Sequence, residues 1–206
     1  LAFDAKEFAY ANNVQGKMTA TPGGAIWTYE DANLKLTREY SYGANKNYVD
    51  LVLSAKFKTK RPNFAFVSVS SHEDEQGSAD QQLLVHQGTS LERIKLKGMK
   101  PVKDWPGTAS WIATQSRYFL FALIPTEPGV RAVSQGVEES ALGKDGKKVE
   151  KMTGKVSLVY PVNGDSIRIP MKAYFGPKEM NTLHGVEPSL DLTIDFGWFT
   201  IIAYPI

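Results

Sequence analysis

The chain of 206 residues carries 24 Lys and Arg against 22 Asp and Glu, for a formal net charge of +2, and it has no cysteine. Disulfides and thiolate metal sites are therefore excluded, and a nucleic-acid partner is not expected because no stretch concentrates basic residues with aromatic ones. A chain of this length buries a substantial core, and β-rich chains of this size often stay undivided, so we expect residues 1–206 to form a single domain.

The N-terminal segment does not have the pattern of a signal peptide. Asp4, Lys6 and Glu7 place three charges where the apolar core of such a peptide would lie. We therefore expect that any targeting segment has been removed from this chain.

Alternation of apolar and polar residues predicts two strands in the first part of the chain. Residues 33–43, NLKLTREYSYG, alternate with one exception at Arg38, and residues 48–58, YVDLVLSAKFK, alternate again. The segment GANKN at 43–47 predicts the turn between these two half-buried strands.

Two further strands are predicted at 63–70, NFAFVSVS, and at 91–98, LERIKLKG. The polar stretch SSHEDEQGSADQQ, residues 70–82, separates them and is expected to be an exposed loop. His72 and the three acidic residues after it form the one cluster that resembles a metal site. Charge runs are usually solvated, so no metal site is predicted there.

The uninterrupted apolar run YFLFALI, residues 118–124, predicts a strand that is buried on both faces in the middle of the core. Two hairpins are predicted after this strand. The first spans residues 140–151 and turns at Asp145-Gly146, and the second spans residues 156–171 and turns at Asn163-Gly164. Asn-Gly and Asp-Gly pairs tolerate the positive φ angles that tight hairpin turns require.

Helical signals are confined to the C-terminal region. Pro177 suits a first helical turn and Gly185 suits an ending, so a helix is predicted from about 177 to 184. Pro188-Ser189 is expected to start a second helical or extended segment. Gly197 is expected to interrupt that segment at the beginning of the uncharged run 196–206. That run is too short for a transmembrane helix, which needs about 20 apolar residues.

These elements predict a mainly all-β protein. We expect a large antiparallel β-sandwich that carries a small helical C-terminal appendix, residues 176–206.

No catalytic motif is recognisable in the sequence. His72, His86 and His184 are scattered, and no nucleophile elbow, phosphate loop or dinucleotide fingerprint is present. Asp191 and Asp195 would share a face of a helix, but acids at helix ends are commonly caps or surface groups. We therefore expect no enzyme activity, no cofactor and no metal. The alternative is a sugar-binding or aldose-epimerase-like β-sandwich protein, which as an enzyme would need a general base and a general acid facing one pocket, typically a His and a Glu.

Three stretches together resemble the large periplasmic domain of the bacterial YidC membrane protein insertase. They are ASWIATQSRYFLFALIP at 109–125, MKAYFGPKEMNTL at 171–183 and LDLTIDFGWFTIIAYPI at 190–206. The residues that carry the resemblance are Trp111, Tyr118, Phe119, Pro125, Phe175, Gly176, Pro177, Asp195, Phe196, Gly197 and Trp198. The motifs occur in the family's order, and the last is the most specific.

The resemblance implies a twisted β-supersandwich similar to galactose mutarotase, held in the periplasm as part of a protein of the bacterial inner membrane. It implies a noncatalytic role that assists the insertion and folding of nascent inner-membrane proteins. The domain would position the membrane helices and contact the Sec translocon and its SecDF accessory complex. In the appendix, the resemblance implies that Gly197 permits a bend, Trp198 lies at the membrane interface and Phe199 is buried in lipid or against the next helix.

Overall fold

The computed structural model describes residues 1–43, 47–72, 81–97, 99, 101–127, 129–142 and 148–194. The described strands of the first half are β1 (Ala2–Phe3), β2 (Lys17–Thr21), β3 (Gly24–Glu30), β4 (Leu34–Ser41), β5 (Val49–Phe57), β6 (Phe64–His72) and β7 (Gln82–Gln87). Those of the second half are β8 (Ser90–Lys95), β9 (Lys103–Trp105), β10 (Ala109–Gln115), β11 (Phe119–Pro125), β12 (Arg131–Leu142), β13 (Lys148–Pro161) and β14 (Ser166–Pro177). The described helices are an N-terminal 3₁₀ helix (Lys6–Asn12), α1 (Met180–Val186) and a C-terminal 3₁₀ helix (Pro188–Thr193).

The strands form two antiparallel sheets. The large sheet has the order β2-β3-β4-β5-β14-β11-β10-β7-β8, and the small sheet has the order β1-β6-β13-β12-β9. Alternating apolar residues from both sheets meet in the main core, which includes Leu36, Leu53, Leu158 and Met171. Two sheets with a shared apolar interior, followed by short helices, confirm the predicted sandwich with its helical C-terminus.

Strand β11 confirms the prediction of a strand that is buried on both faces. Leu123 faces the main core. Leu120, Ala122 and Ile124 are also buried, but they belong to a second apolar cluster on the opposite face of the sheet. The strand lies between β14 and β10, well inside the large sheet.

The predicted hairpin over residues 156–171 is wrong. Strand β13 pairs with β6 and β12 in the small sheet, whereas β14 pairs with β5 and β11 in the large sheet. At the start of the connection, the Val162 amide donates to the carbonyl of Asn63, next to β6, at 2.8 Å. At its end, the Asp165 carbonyl accepts a hydrogen bond from the amide of Phe57 on β5 at 2.7 Å. The connection is therefore bonded first beside the small sheet and then to the large sheet. Gly164 does not adopt a positive φ, which a tight hairpin turn at this position would require. The chain crosses between the sheets instead.

The other predicted hairpin has the expected arms. Strands β12 and β13 pair antiparallel up to Leu142 opposite Lys148. The turn at Asp145-Gly146 lies outside the described residues, as do residues 44–46 of the predicted turn between β4 and β5.

The predicted bounds of the first C-terminal helix are shifted. Pro177 is the last residue of β14, where it pairs with Phe119, and it does not start a helix. Helix α1 begins at Met180 and continues through Gly185 to Val186. Packing of Leu183 and Val186 against the sheet outweighs the tendency of glycine to end the helix.

The expected loop at 70–82 is partly strand. Ser71 and His72 belong to β6, and Gln82 begins β7, which the sequence did not predict. Residues 73–80, including the acidic residues next to His72, lie outside the described residues.

Asp31 organises the turn between β3 and β4. Its carboxylate accepts hydrogen bonds from the Tyr10 hydroxyl at 2.6 Å and the Tyr29 hydroxyl at 3.0 Å. It also accepts bonds from the backbone amides of Asn33 and Leu34, each at 2.7 Å. The Tyr10 bond first, and then the amide bonds, lower the pKa of Asp31 to about 2.

This lowered pKa predicts an acid-sensitive contribution to stability. A carboxyl whose pKa is lower in the folded state than its ordinary value of 3.8 stabilises the fold above that value and loses the effect as the pH falls toward 2. The Asp31→Asn variant should therefore lose less of its free energy of unfolding between pH 6 and pH 2 than the parent chain. Urea unfolding at a series of pH values measures this. Tyr10→Phe should show a pH dependence of the unfolding free energy between those of the parent and Asp31→Asn. The same pH dependence for the parent and Asp31→Asn would contradict the stabilising role of the Asp31 carboxylate.

Candidate functional site

The outer face of the large sheet holds a second apolar cluster, distinct from the main core, on which the C-terminal helices lie. We call it the docking cluster. The sheet contributes Leu84, Trp111, Ala113, Leu120, Ala122, Ile124 and Tyr174, and the helices contribute Leu183, Val186 and Leu190. All of these side chains are buried. The two helices are therefore held in a fixed position on the sheet.

Trp111 connects the sheet to the C-terminal 3₁₀ helix. The side chain is fully buried. Its Nε1 donates to the Ser189 Oγ at 2.8 Å, and the Ser189 hydroxyl donates to the Glu187 carboxylate at 3.2 Å. A buried indole N–H needs such a partner, so the position of Ser189 is coupled to that of the tryptophan.

His86 lies beneath the docking cluster and stacks on Trp111. The two ring centroids are 5.1 Å apart and the ring planes are inclined by 6°. The imidazole is 3% exposed, and neither ring nitrogen has a hydrogen-bond partner among the described residues. Burial lowers the pKa of His86 although the nearby Glu187 carboxylate acts in the opposite direction. A neutral, enclosed imidazole of this kind cannot reach a sugar, so nothing at His86 favours the epimerase alternative.

Polar side chains fasten the helices to the sheet as well. Lys172 Nζ on β14 donates to the carbonyl of Val186 at 3.2 Å, and Arg93 on β8 donates to the carbonyl of Leu192 at 2.6 Å. Both bonds satisfy carbonyl groups at helix C-termini, which lack partners within the helix. Within the C-terminal 3₁₀ helix itself, the Thr193 hydroxyl donates to the Leu190 carbonyl at 2.7 Å.

Two of the residues selected from the sequence, Gly176 and Pro177, lie where β14 passes into this region. The Tyr174 hydroxyl donates to the Pro177 carbonyl. A Cβ atom at position 176 would lie 2.7 Å from that hydroxyl, so a larger residue here would displace the Tyr174 side chain. The Lys178 amide then donates to the Tyr118 carbonyl at 2.8 Å, which ties the start of the helical region to the β10–β11 turn.

Two of the remaining selected residues, Tyr118 and Phe119, are not part of the docking cluster. Tyr118 is 66% exposed and Phe119 is also exposed. Asp195, Gly197, Trp198 and Phe199 lie outside the described residues. The sequence therefore selected Trp111, Gly176 and Pro177 near the docking cluster but missed Tyr174, Leu183, Ser189 and Leu190. Tyr174 and Leu183 lie in the stretch 171–183 and Leu190 lies in the stretch 190–206 that carry the resemblance, and the segment start at Pro188-Ser189 was the signal near Ser189.

The described part of the chain contains neither a metal-binding cluster nor a membrane-spanning helix. No group of three or more His, Cys, Asp or Glu residues there could hold a metal ion. No helix within the described ranges has the length and apolar character needed to cross a membrane. His184 Nδ1 on α1 lies 3.6 Å from the Asp191 carboxylate on the C-terminal 3₁₀ helix. Among the described residues, this pair belongs to no larger group that could hold a metal ion.

The two sheets and the helices docked on one of them define a β-sandwich domain with short C-terminal helices. The family model of the YidC periplasmic domain matches residues 23–206. The chain therefore belongs to the YidC periplasmic-domain family, and the resemblance found in the sequence is confirmed. Its location is the periplasm, as part of an inner-membrane insertase.

Curated relatives carry the same description. The chain is 34% identical over 105 residues to the membrane protein insertase YidC of Nitrosomonas europaea, a match that covers 50% of this chain and 16% of the relative. It is 24% identical over 180 residues to that of Syntrophus aciditrophicus, covering 84% of this chain and 32% of the relative. The match thus spans about a sixth to a third of the length of these relatives.

Solved structures with similar folds include two sugar-active enzymes. One is an α-galactosidase from Geobacillus stearothermophilus, with a TM-score of 0.46 and 13% identity over 83% of this chain and 27% of the enzyme. Another is a galactose mutarotase related enzyme from Lactobacillus acidophilus, with a TM-score of 0.39 and 9% identity over 82% of this chain and 73% of the enzyme. At these identities the likeness concerns the fold alone.

Proposed function

We propose that this is a noncatalytic domain that positions the membrane helices of an insertase, acting on nascent membrane proteins together with the Sec translocon and its SecDF complex. The observation that supports positioning is the docking cluster. Leu183 and Leu190 are fully buried against the sheet, so the chain leaves the domain in one defined place. A segment held in this way transmits the orientation of the sandwich to whatever follows it.

The proposed residue roles follow from that arrangement. Trp111 anchors the C-terminal 3₁₀ helix through Ser189, and Gly176 and Pro177 fix the path from β14 to α1. Tyr118 and Phe119 form an exposed aromatic pair beside that path. Asp195, Gly197, Trp198 and Phe199 would form the bend and the membrane-facing segment. We treat residues 1–206 as one domain, with 176–206 as its C-terminal appendix.

A charge introduced into the docking cluster should separate the helices from the sheet. In the full-length protein, Leu190→Asp is expected to abolish complementation in cells depleted of the native insertase, because a buried unpaired carboxylate costs several kcal/mol. The measurement is insertion of a client membrane protein after depletion, with protease sensitivity of residues 178–194 followed in the same membranes.

Leu192→Asp is the matched control. Leu192 lies on the same 3₁₀ helix but is 38% exposed, and its backbone carbonyl accepts the hydrogen bond from Arg93. This variant should keep both protease resistance and complementation. The proposal that the docked helices position the membrane helices would be wrong if Leu190→Asp made the docked helices protease-sensitive while insertion continued at the parental rate.

A further inference from the structure

Six polar residues form a compact grid on the outer face of the large sheet. They come from β4, β5 and β14, which are neighbours in that sheet. Residues in register on antiparallel strands share a face, and so does every second residue along a strand. The face of the grid is the outer one, because Leu36 and Ala55, which alternate with the grid residues, lie in the main core. One row of the grid consists of Lys35, Lys56 and Ser166, and the next row consists of Thr37, Ser54 and Arg168.

The grid encloses a hollow of about 240 Å³, which we call the basic hollow. Its described lining consists of the six grid residues and two apolar ones, and none of these is acidic. Thr37 and Ser54 are partly buried, whereas Lys35, Lys56 and Arg168 are exposed. The more buried part of the hollow therefore carries hydroxyl groups, and its exposed rim carries three cations.

Acidic residues of the described structure neutralise these cations only in part. Lys35 Nζ lies 3.1 Å from the Glu30 carboxylate, but Lys58 shares that carboxylate at 2.8 Å. Neither Lys56 nor Arg168 has an ion pair with another described residue. Lys35 and Lys56 also lie directly opposite each other, and like charges in that arrangement destabilise a sheet. An external anion in the basic hollow would offset this repulsion.

The donors in the basic hollow suit a phosphate group. An arginine guanidinium binds phosphate oxygens through two parallel N–H groups, and a lysine supplies a point charge. Serine and threonine hydroxyls can donate hydrogen bonds to the remaining oxygens. Arg168 and Lys56 are diagonal neighbours on β14 and β5, a separation of about 7–8 Å that long side chains span. One phosphate group can therefore contact both cations.

The location of the basic hollow favours a lipid phosphate over a dissolved one. Arg168 lies on the same face of β14 as Lys172 and Tyr174, which contact the C-terminal helices. This face therefore carries the helices from which the chain continues toward the proposed membrane segment. The basic character is local, because the chain has a net charge of only +2 and the next row of the grid contains no cation. That row consists of Glu39, Val52 and Pro170.

We propose that the basic hollow binds the phosphate group of an anionic phospholipid at the membrane surface. The inference rests on the proposed function for the orientation of this face, since the helices docked on it lead to the membrane segment. Binding itself is independent of helix docking, because no residue of the basic hollow belongs to the docking cluster. The contact would hold the outer face of the large sheet against the bilayer.

The test measures sedimentation of the 206-residue chain with vesicles of phosphatidylcholine, either alone or mixed with phosphatidylglycerol. Tighter binding to the vesicles that contain phosphatidylglycerol is expected. Lys56→Gln and Arg168→Gln should each weaken that binding about fivefold, because each removes one basic residue near an anionic surface. Binding to phosphatidylcholine alone, which includes any contribution of the uncharged run 196–206, should stay unchanged.

Lys155→Gln is the matched control. Lys155 is an exposed lysine on β13 of the small sheet, so its replacement removes the same charge outside the basic hollow. Binding of this variant should stay within about twofold of the parent. Arg168→Lys keeps the charge but loses the paired N–H groups, so its affinity should lie between those of the parent and Arg168→Gln. All three positions are exposed, so the variants should retain their fold, which circular dichroism checks.

A single fluorophore locates the contact. The chain has no cysteine, so Ser166→Cys provides one attachment site at the basic hollow and Lys155→Cys provides one on the small sheet. An environment-sensitive label at position 166 should shift its emission when vesicles with phosphatidylglycerol are added. The label at position 155 should not, and equal shifts at the two positions would overturn the inference.

Equal binding to the two kinds of vesicle, or equal weakening by Lys155→Gln and Lys56→Gln, would also overturn it. Saturable binding of inorganic phosphate without a preference for phosphatidylglycerol would overturn it in favour of a dissolved anion. The same result with a polyglutamate peptide would overturn it in favour of an acidic protein partner. Failure of the proposed function is seen separately, since it leaves Leu190→Asp active in complementation whatever the vesicle result.

Discussion

Replacing Trp111 with Ala should lower the free energy of unfolding by about 3–5 kcal/mol, as measured by urea denaturation of the 206-residue chain. The side chain is the largest fully buried one in the described structure, and it contacts the sheet, His86 and the C-terminal 3₁₀ helix together. Removing it leaves a cavity that neighbouring strand residues cannot close, because their backbones are fixed by pairing on both sides.

Two further variants separate the volume of Trp111 from its hydrogen bond. Ser189→Ala keeps the indole but leaves its buried N–H without a partner, at a cost of about 1–3 kcal/mol. Trp111→Phe removes the donor and part of the volume, so its cost should lie between those of Ser189→Ala and Trp111→Ala. A loss under about 1 kcal/mol for Trp111→Ala would mean that the docking cluster does not stabilise the fold.

Phe8→Ala should have an effect of similar size, about 3–5 kcal/mol of unfolding free energy. Phe8 is 1% exposed and lies in an aromatic group with Phe3 and Phe57, whose ring centroids are 5.8 Å and 5.4 Å from its own. This group joins the N-terminal 3₁₀ helix to β5 of the large sheet. The family match begins at residue 23, so Phe8 lies outside it. This prediction therefore tests whether the segment before residue 23 unfolds cooperatively with the matched residues.

Glu7→Ala is the control for Phe8→Ala. Glu7 is the neighbouring residue of the same helix, and its side chain is 46% exposed with an ion pair to Lys60 at 3.3 Å. Exposed ion pairs of this kind contribute little, so the unfolding midpoint should stay close to that of the parent. Equal midpoints for Phe8→Ala and the parent would show that the N-terminal helix is dispensable for the core.

Strands with strict alternation could be predicted from the sequence, because period-two patterning depends on one face being buried. Leu34 to Ser41 and Val49 to Phe57 are examples of this. The pattern does not say which sheet a strand joins. Both arms of 156–171 alternate, and Asn163-Gly164 satisfies the composition rule for a tight turn, yet the arms pair with β6 and β5 respectively. Pairing over such separations is a property of the whole fold.

The candidate site was accessible to sequence reasoning only in part. Trp111 and Pro177 were selected through a family motif, whereas the partner of Trp111, Ser189, lies 78 residues away in sequence and has no distinguishing local signal. Phe175 likewise looks like a core residue in its own strand, but it is 76% exposed in the folded domain.

Strand β14 is the last of the described strands along the chain but occupies the fifth of nine positions in the large sheet. A polypeptide that emerges N-terminus first would therefore assemble two separate four-stranded pieces, with open edges at β5 and β11, until Ser166–Pro177 arrives between them. Exposed edges of that kind invite pairing with other chains. The sandwich is completed only when the residues immediately before α1 have been delivered, so the length of chain exported determines when the domain acquires its native stability.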